Sequence, residues 1–306
     1  MIDRNLFRLS REVETALAEH RAVVALESTV VAHGLPRPQN LETARRLEQI
    51  VRERDAIPAT IAAFDGCFYV GLDNEQLCRL AETERIHKLS RRDLPLAVAN
   101  KWNGATTVAT TAWIAQRVGI KVFATGGIGG VHRGSLPDVS ADLPTLAETP
   151  LIVVCSGAKI VLDLPATREW LETHGIPVIG YGCDEMPAFY TRRSNLNVDA
   201  RVDSAQQAAA IYEAQQQLQT NAALLLTVPV PAASEVEASA LQQALDEALT
   251  AAQTAHITGR ELTPYLLSRM NDASGGATLD ANIALLENNA RVAADVAVAL
   301  SKQRAE

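Results

Sequence analysis

The sequence predicts a layered α/β fold, on the evidence of its hydrophobic pattern and its length. Short apolar runs rich in β-branched residues alternate with longer stretches that show helical periodicity. The chain has 306 residues, of which 47% are hydrophobic, so a large core can be buried. Because it has no internal repeat and no Gly/Ser-rich linker, residues 1–306 are predicted to form a single domain.

Six strands are predicted where short apolar runs are bounded by polar or turn-forming residues. These runs are Ala22–Leu26, Ala59–Ala63, Lys121–Ala124, Leu151–Cys155, Pro177–Ile179 and Ala222–Thr227. Their nearly continuous hydrophobicity is typical of strands that are covered on both faces of a sheet.

Six helices are predicted from the spacing of apolar residues between these strands. They cover Asn40–Arg54, Thr106–Val118, Ile160–Thr173, Ser204–Gln219, Ser234–Ala255 and roughly Leu279–Leu300. Ser234 and Glu237 are three positions apart, which predicts a capping box at the start of the fifth helix. The proline-rich segment Val228–Ala232 is too short to link two domains.

The charge balance argues against a nucleic-acid-binding surface. The chain carries 28 Lys and Arg against 36 Asp and Glu, a formal net charge of −8. No apolar stretch approaches the roughly 20 residues that span a bilayer, and Met1–Arg11 lacks the apolar core of a secretory signal. The four cysteines are scattered, which favours free thiols in a reducing compartment. We therefore expect a cytoplasmic protein that binds neither membranes nor nucleic acids.

Three polar segments follow predicted strands, at the edge where open α/β sheets form their binding sites. They are Glu27–Thr29, Thr125–Gly134 and Ser156–Lys159. The second is rich in glycine but matches neither common glycine motif. A dinucleotide fingerprint would need glycine at His132, and a P-loop would need lysine at Ser135. The segment therefore either offers backbone N–H groups to an anion or forms a tight turn.

Further segments have the composition of phosphate or metal sites. Asn103–Thr107 opens a helix with hydroxyl and N–H groups, although such residues also serve as simple caps. Lys88–Asp93 contains three cations, although such runs are more often solvated turns. Asp138 and Asp142, near His132, offer oxygen ligands to Mg²⁺ or Mn²⁺, although aspartate also fills turns.

Lys159 and Glu27 are the candidate catalytic residues. Apolar neighbours would favour a neutral, nucleophilic amine at Lys159, unless the side chain extends to solvent from a first helical turn. Partial burial would raise the pKa of Glu27 towards general-acid duty, unless the residue only caps a helix or forms a salt bridge. Asn282 and Asn289 lie on one helix face, which faces either a pocket or the solvent.

Six segments taken together closely resemble the pseudouridine-5'-phosphate glycosidases, also called the indigoidine synthase A family. The segments are ALESTVVAHGLPRPQN (Ala25–Asn40), KLSRRDLP (Lys88–Pro95), NGATTVATT (Asn103–Thr111), KVFATGGIGGVHRG (Lys121–Gly134), VSADL (Val139–Leu143) and VVCSGAK (Val153–Lys159). The similarity covers essentially the whole chain, including Met186–Tyr190 and the asparagine-bearing last helix.

The resemblance implies a homotrimeric enzyme with a three-layer α/β/α core around a mixed, largely parallel sheet. The implied reaction is the reversible cleavage of pseudouridine 5'-phosphate, with water, to uracil and ribose 5-phosphate. By the same resemblance Lys159 is the nucleophile, Glu27 the proton donor and Asp138 a ligand of manganese. Substrate contacts are implied at Lys88, Val108 (through its main chain), Ser140, Ala141, Asp142 and Asn282, with His132 as a further contact.

The chemistry agrees with these residue types. Pseudouridine joins sugar and base by a carbon–carbon bond, so there is no leaving oxygen of the kind that ordinary glycosidases protonate. We hypothesise that Glu27 assists opening of the ribose ring and that Lys159 holds C1' as an imine. The metal would organise the pocket and its water.

Three departures from the family pattern affect this interpretation. The loop from His132 to Asp138 is shorter by two residues, Lys101–Trp102 replaces the usual Gly-Lys, and Val228–Ala232 replaces Asn-Pro-Ile-Pro-Glu. The last change leaves open a different base or another C-glycoside as substrate. A non-catalytic sugar-phosphate binder is the alternative from another class, and the presence of both Glu27 and Lys159 argues against it.

Overall fold

The computed structural model describes residues 4–134, 138–257, 259 and 262–303, which contain eleven strands and eleven α-helices. The strands are β1 (Phe7–Leu9), β2 (Val23–Leu26), β3 (Ile57–Phe64), β4 (Cys67–Val70), β5 (His87–Leu89), β6 (Gly104–Thr106), β7 (Val122–Ala124), β8 (Ile152–Cys155), β9 (Val178–Tyr181), β10 (Ala200–Val202) and β11 (Leu224–Thr227). The helices are α1 (Arg11–Ala18), α2 (Gln39–Arg52), α3 (Asn74–Glu82), α4 (Leu94–Ala99), α5 (Val108–Val118), α6 (Asp142–Ala147), α7 (Leu164–Thr173), α8 (Ala205–Gln217), α9 (Ala238–Thr254), α10 (Leu262–Ala273) and α11 (Ala277–Gln303).

The strands form one sheet, whose main path runs β1-β4-β3-β2-β7-β8-β11-β9-β10. β6 extends it beside β3, and β5 pairs with β6. β3 is antiparallel to β4 and β6, whereas the other pairs are parallel. The predicted mixed, largely parallel sheet is confirmed. Because β2, β7 and β8 are parallel neighbours, their carboxyl ends meet at one edge, where a site is expected.

Two groups of helices flank the sheet and complete the predicted three-layer arrangement. α11 packs on β2, β7 and β8 and contacts both α2 and α8. α5 packs on β2, β6 and β7 and contacts α6, which in turn contacts α7. One large hydrophobic core joins these helices to the strands. In the part of the chain that is described, no helix is long and apolar enough to cross a membrane.

The six predicted strands and six predicted helices are all present, with some differences at their ends. The helix predicted from Ile160 begins only at Leu164, because the Asp163 side chain caps it by accepting from the Ala166 N–H. The predicted capping box at Ser234 is wrong. Glu237 caps α9 instead, because its carboxylate accepts from the N–H of Ala240. The single-domain organisation stays a prediction.

Asn289 fastens α11 to the edge of the sheet that carries the predicted site. Its side chain is fully buried, and its Nδ2 donates to the carbonyl of Thr125 at 2.8 Å and to the hydroxyl of Ser156 at 3.1 Å. These two residues directly follow β7 and β8. Asn289 therefore holds the ends of two central strands against the helix.

We expect Asn289→Ala to lower the free energy of unfolding by about 2–4 kcal/mol, because it leaves buried polar groups of both strand ends without partners. Urea denaturation measures this change. The matched control is Asn100→Ala at an exposed position after α4, where we expect a change within about 0.5 kcal/mol. An equal effect of the two substitutions would contradict the anchoring role.

Candidate active site

A cleft opens at the carboxyl edge of β2, β7 and β8, with about 530 Å³ of empty space that is partly open to solvent. Four of the predicted site residues line it together, namely Glu27, Lys88, Lys159 and Asn282. The rest of its wall is formed by Thr29, Val30, His33, Gly34, Gly126, Gly127, Phe189, Thr263, Pro264, Leu267 and Leu286. The cleft thus combines two lysines and a carboxylate with a largely apolar surface, as small-molecule sites commonly do.

The carboxylate of Glu27, directly after β2, is held by a hydrogen bond from the hydroxyl of Thr125, directly after β7. Burial raises the pKa of Glu27 above the ordinary value of 4.5, and the nearby Asp142 carboxylate adds to this rise. The ammonium groups of Lys159 and Lys88 and the bond from Thr125 oppose it. A carboxyl group with a raised pKa retains its proton at higher pH, as a proton donor must.

Lys159 follows β8 in a loop, so the alternative of a lysine in a first helical turn is wrong. Its backbone N–H donates to the carbonyl of Ile128 at 3.1 Å, which joins the loop to the glycine-rich segment. Gly157 has a φ of +81°, and a Cβ atom there would lie 2.0 Å from the carbonyl oxygen of Pro187. The turn that brings Lys159 to the cleft therefore requires glycine.

Lys88 and Asn282 reach the cleft from elements on different sides of it. Lys88 lies on β5, is half-buried, and lies near enough to Glu27 to lower the pKa of that carboxyl. Asn282 lies on α11 and is only 8% exposed. The cleft thus offers a second positive charge and an amide in addition to the pair formed by Glu27 and Lys159.

Asp142 connects the start of α5 to the glycine-rich segment. Its buried carboxylate accepts from the N–H of Ala109 through Oδ1 and from the N–H of Gly129 through Oδ2, both at 2.8 Å. A Cβ atom at Gly129 would lie 2.2 Å from the Ser140 hydroxyl oxygen and 2.7 Å from Asp142 Oδ2. The carboxylate therefore fixes the shape of this loop, and a contact of Asp142 with substrate stays a prediction.

Three other predicted contacts surround Asp142 and are not part of the cleft wall. Val108 is the first residue of α5, where backbone N–H groups point out of the helix. Ser140 donates its N–H to the carbonyl of Gly130 at 2.9 Å, and Ala141 is exposed. These residues can extend the site beyond the cleft, towards the amino end of α5.

His132 and Asp138 are joined by a backbone hydrogen bond of 2.8 Å, and Asp138 is exposed. The intervening residues 135–137 of the shortened loop lie outside the described residues. No group of three or more His, Cys, Asp or Glu suited to a metal is present in the described ranges. With Asp138 as the single protein ligand, a Mg²⁺ or Mn²⁺ ion would take most of its other ligands from water. These cations commonly bind in this way beside one or two carboxylates.

The other candidate segments have mainly structural contacts. In the basic run, Arg91 forms an ion pair with Glu148 at 2.7 Å. Thr107 of the segment Asn103–Thr107 caps α5 by accepting from the N–H of Thr110. Asn289 is engaged between α11 and the strand ends, so only Asn282 of the two predicted asparagines faces the cleft.

The cysteines near the site are poor nucleophiles. All four cysteines are free, and Cys155 is fully buried at the end of β8. Burial raises the pKa of the Cys155 thiol to about 12 and that of Cys183 to about 11. Because thiolate is the reactive form, both thiols are largely unreactive at neutral pH.

His33 and Phe189 are part of the cleft wall that sequence reasoning did not single out. His33 lies in a short π-helical turn, Val30–Gly34, six positions after Glu27. Phe189 has a φ of +64°, and its ring lies so close to Gly127 that a Cβ atom there would be 2.7 Å away. The sequence offered a signal for His33, because a histidine within the apolar run after Glu27 is unusual. It offered no signal for Phe189, whose side chain reaches the site from the distant segment Met186–Tyr190.

Replacing Glu27 by glutamine should stabilise the protein at neutral pH, because the amide keeps the shape and cannot ionise in the buried site. Since the pKa of Glu27 is raised on folding, its ionisation costs stability as pH rises from about 4.5 to the folded-state pKa. The difference in Tm between Glu27→Gln and the parent should therefore grow over this range and then level off. A difference independent of pH would contradict the raised pKa.

The sequence comparisons agree on one family. The family model described as "Indigoidine synthase A like protein" matches residues 12–299. A pseudouridine-5'-phosphate glycosidase from Geobacillus kaustophilus is 50% identical over 294 residues, which is 95% of this chain and 98% of that protein. One from Chloroflexus aurantiacus is 50% identical over 303 residues, 97% of this chain and 99% of that protein.

Two crystal structures have nearly the same fold over nearly the full length. The prealnumycin C-glycosynthase in complex with ribulose 5-phosphate has a TM-score of 0.91 and 41% identity, covering 99% of both chains. An indigoidine synthase A-like protein from Thermotoga maritima has a TM-score of 0.90 and 34% identity, covering 98% of both chains.

Proposed function

This chain belongs to the indigoidine synthase A like family, and from that premise we propose that it reversibly cleaves pseudouridine 5'-phosphate to uracil and ribose 5-phosphate. The observation that carries the proposal is the pairing of Glu27 with Lys159 in one cleft, where burial raises the pKa of the carboxyl. Relatives at 50% identity that bear the name of this activity support the substrate. The related C-glycosynthase bound to ribulose 5-phosphate supports a sugar-phosphate site.

The first chemical step opens the ribose ring. The protonated Glu27 carboxyl gives its proton to the ring oxygen O4' as the C1'–O4' bond breaks, and the Lys159 amine forms a bond to C1'. The hydrogen bond from Thr125 holds the Glu27 carboxyl at its place beside the strand ends. Ring opening therefore depends on both residues of the pair.

Cleavage of the carbon–carbon bond follows from the amine adduct. The nitrogen lone pair forms a C1'=N bond while the C1'–C5 bond breaks, and uracil C5 takes up one of the two protons that the amine loses. The other proton returns to Glu27. Water then hydrolyses the imine, which restores the Lys159 amine and gives the aldehyde of ribose 5-phosphate.

Binding of the phosphate and the base is assigned to the surrounding residues. Lys88 supplies a positive charge on the cleft wall, and Val108, the first residue of α5, supplies a backbone N–H of the kind that holds anions. Asn282 offers both a donor and an acceptor to a polar group in the cleft. We include Ser140, Ala141, Asp142 and His132 as further substrate contacts.

We also propose that Asp138 holds a Mn²⁺ ion. Its exposed carboxylate suits a mostly hydrated ion, which would organise the pocket and its water when bound. A homotrimer and a cytoplasmic location complete the proposal. The family resemblance supports the trimer, and the four free cysteines support a reducing compartment.

A second candidate function is the transfer of ribose 5-phosphate to a different acceptor carbon. The 41% identity with a C-glycosynthase favours it. The altered segment Val228–Ala232 follows β11, and none of its residues lines the cleft. Rates with ribose 5-phosphate and a panel of bases distinguish the two functions, because uracil should be preferred only under the first.

The test of the proposed function is borohydride trapping with ribose 5-phosphate and Mn²⁺, followed by intact mass and peptide mapping. We expect one pentose-phosphate adduct on Lys159, because an imine at this amine is reducible. Lys159→Met should give no adduct and should lose at least about 1,000-fold in the rate of uracil release. Lys302→Ala, at an exposed position on α11, is the control and should behave like the parent.

The contrary result is equally clear. An adduct on another lysine, or near-normal turnover by Lys159→Met, would contradict Lys159 as the nucleophile. A Lys159 adduct without release of uracil from pseudouridine 5'-phosphate would contradict the substrate and favour transfer to a different base.

A further inference from the structure

The two residues that follow Glu27 hold the last residue of β6. Ser28 is fully buried, and its hydroxyl accepts from the backbone N–H of Thr106 at 2.8 Å. The half-buried Thr29 donates its hydroxyl to the backbone carbonyl of Thr106 at 2.7 Å. Both backbone polar groups of Thr106 are therefore bound by the segment that carries the proposed proton donor.

Thr106 is also tied to the sheet and to α5 by its side chain. Its hydroxyl donates to the carbonyl of Ile61 on β3 at 2.7 Å and accepts from the hydroxyl of Thr111 on α5 at 2.9 Å. The Ser28 hydroxyl donates to the same carbonyl of Ile61 at 2.6 Å. A buried and well-satisfied network of this kind is rigid, so it fixes the position of Thr106 relative to the end of β2.

Thr106 stands next to the residues assigned to the phosphate group of the substrate. Val108, which begins α5, lies two positions further along the chain. Leu89, which follows Lys88 on β5, is paired with Thr106 in the sheet. Both proposed phosphate contacts therefore lie within two residues of Thr106 or of its strand partner.

The bonds from Ser28 and Thr29 thus set the spacing between the proton donor and the phosphate contacts. The position of Glu27 relative to Lys159 is set separately, by Thr125 and by the pairing of β2, β7 and β8. Enzymes use the binding energy of a non-reacting group such as a phosphate to align the reacting atoms. This alignment depends on the spacing, because a misplacement of about 1 Å can cost on the order of 100-fold in rate.

We propose that Thr29, supported by Ser28, is a positioning residue that aligns Glu27 with the phosphate end of the substrate. Thr29 acts through the backbone of Thr106 and takes no part in making or breaking bonds. The role rests on the proposed function, because it requires a phosphorylated sugar whose ring is opened by Glu27.

The test is Thr29→Val, which keeps the shape of the side chain and removes its hydrogen bond to Thr106. We expect kcat for pseudouridine 5'-phosphate to fall roughly 10- to 100-fold with KM changed by less than about threefold, because the phosphate still binds while the sugar is misaligned. For pseudouridine without its phosphate, kcat/KM should change by less than about threefold, because no phosphate contact aligns that substrate. Single-turnover measurements at high enzyme concentration make this slower reaction measurable. Thr29→Ser retains the bond and should restore most of the parent's kcat.

Thr149→Val is the matched control. The Thr149 hydroxyl is buried and donates to the carbonyl of Thr145 at 2.6 Å, shortly before β8 and so at the opposite edge of the sheet. We expect this substitution to lower Tm, as Thr29→Val does, but to leave kcat unchanged. Thermal melts report on the folding of every variant. If Thr29→Val does not fold, the smaller Thr29→Ala takes its place with the same expected results.

A parental kcat in Thr29→Val, or an equal fall in kcat/KM for the two substrates, would overturn the proposal. A Thr29→Ser variant as slow as Thr29→Val would also overturn it, because the serine keeps the hydrogen bond. Failure of the proposed function is seen separately, in the parent protein, which would then release no uracil from pseudouridine 5'-phosphate. That result would remove the role of Thr29 as well.

Discussion

The burial of one carboxyl group at the edge of a parallel sheet is the constraint on which this site depends. Glu27 follows a buried strand, and removal from water makes its ionised form unfavourable, so its pKa rises. The hydroxyl of Thr125 and the charges of Lys159 and Lys88 limit this cost without cancelling it. The same arrangement keeps a proton available and places an amine beside it, which together are the requirements of ring opening followed by imine formation.

The sheet topology supplies this arrangement, and buried polar side chains fix it. Adjacent parallel strands bring Glu27, Thr125 and the loop of Lys159 to one edge. Asn289 ties two of these strand ends to α11, and Asp142 ties the glycine-rich segment to α5. Each brace satisfies backbone groups that would otherwise be orphaned at the end of a strand or helix. Rigid support of this kind preserves the geometry that the reaction needs.

Much of the fold could be predicted from the sequence, because long periodic helices and buried β-branched strands leave strong patterns. The five strands β1, β4, β5, β6 and β10 were missed, because three or four residues are too few to show a clear period. The equally short β7 was predicted because its residues are all apolar. The start of α7 was predicted too early, at Ile160. The apolar residues Ile160–Leu162, which lie in the loop after Lys159, continue the apolar spacing of the helix. Glu237 caps α9 in place of Ser234, because the helix begins at Ala238. The types of the residues alone do not determine at which position the backbone enters the helix.

The cleft was predictable where its residues lie in linear sequence motifs, as Glu27, Lys88 and Lys159 do. It was not predictable where a contact between residues far apart in the sequence brings a side chain to the cleft. Phe189 covers Gly127 from a distant loop, and Thr263 and Leu267 of α10 reach the cleft from the far end of the chain. Asn282 and Asn289 have the same local signal, yet the packing of α11 sends one to the cleft and the other to the strand ends.

The most direct test of the account is whether Glu27 is needed for ring opening but not for imine formation. It compares borohydride trapping of Glu27→Gln with ribose 5-phosphate and with pseudouridine 5'-phosphate. Ribose 5-phosphate opens to the aldehyde in solution, so the variant should still form the Lys159 adduct from it. Pseudouridine 5'-phosphate needs the proton of Glu27, so no adduct should form from it. Adduct formation from both compounds at the parent's rate would contradict the role of Glu27 as the proton donor.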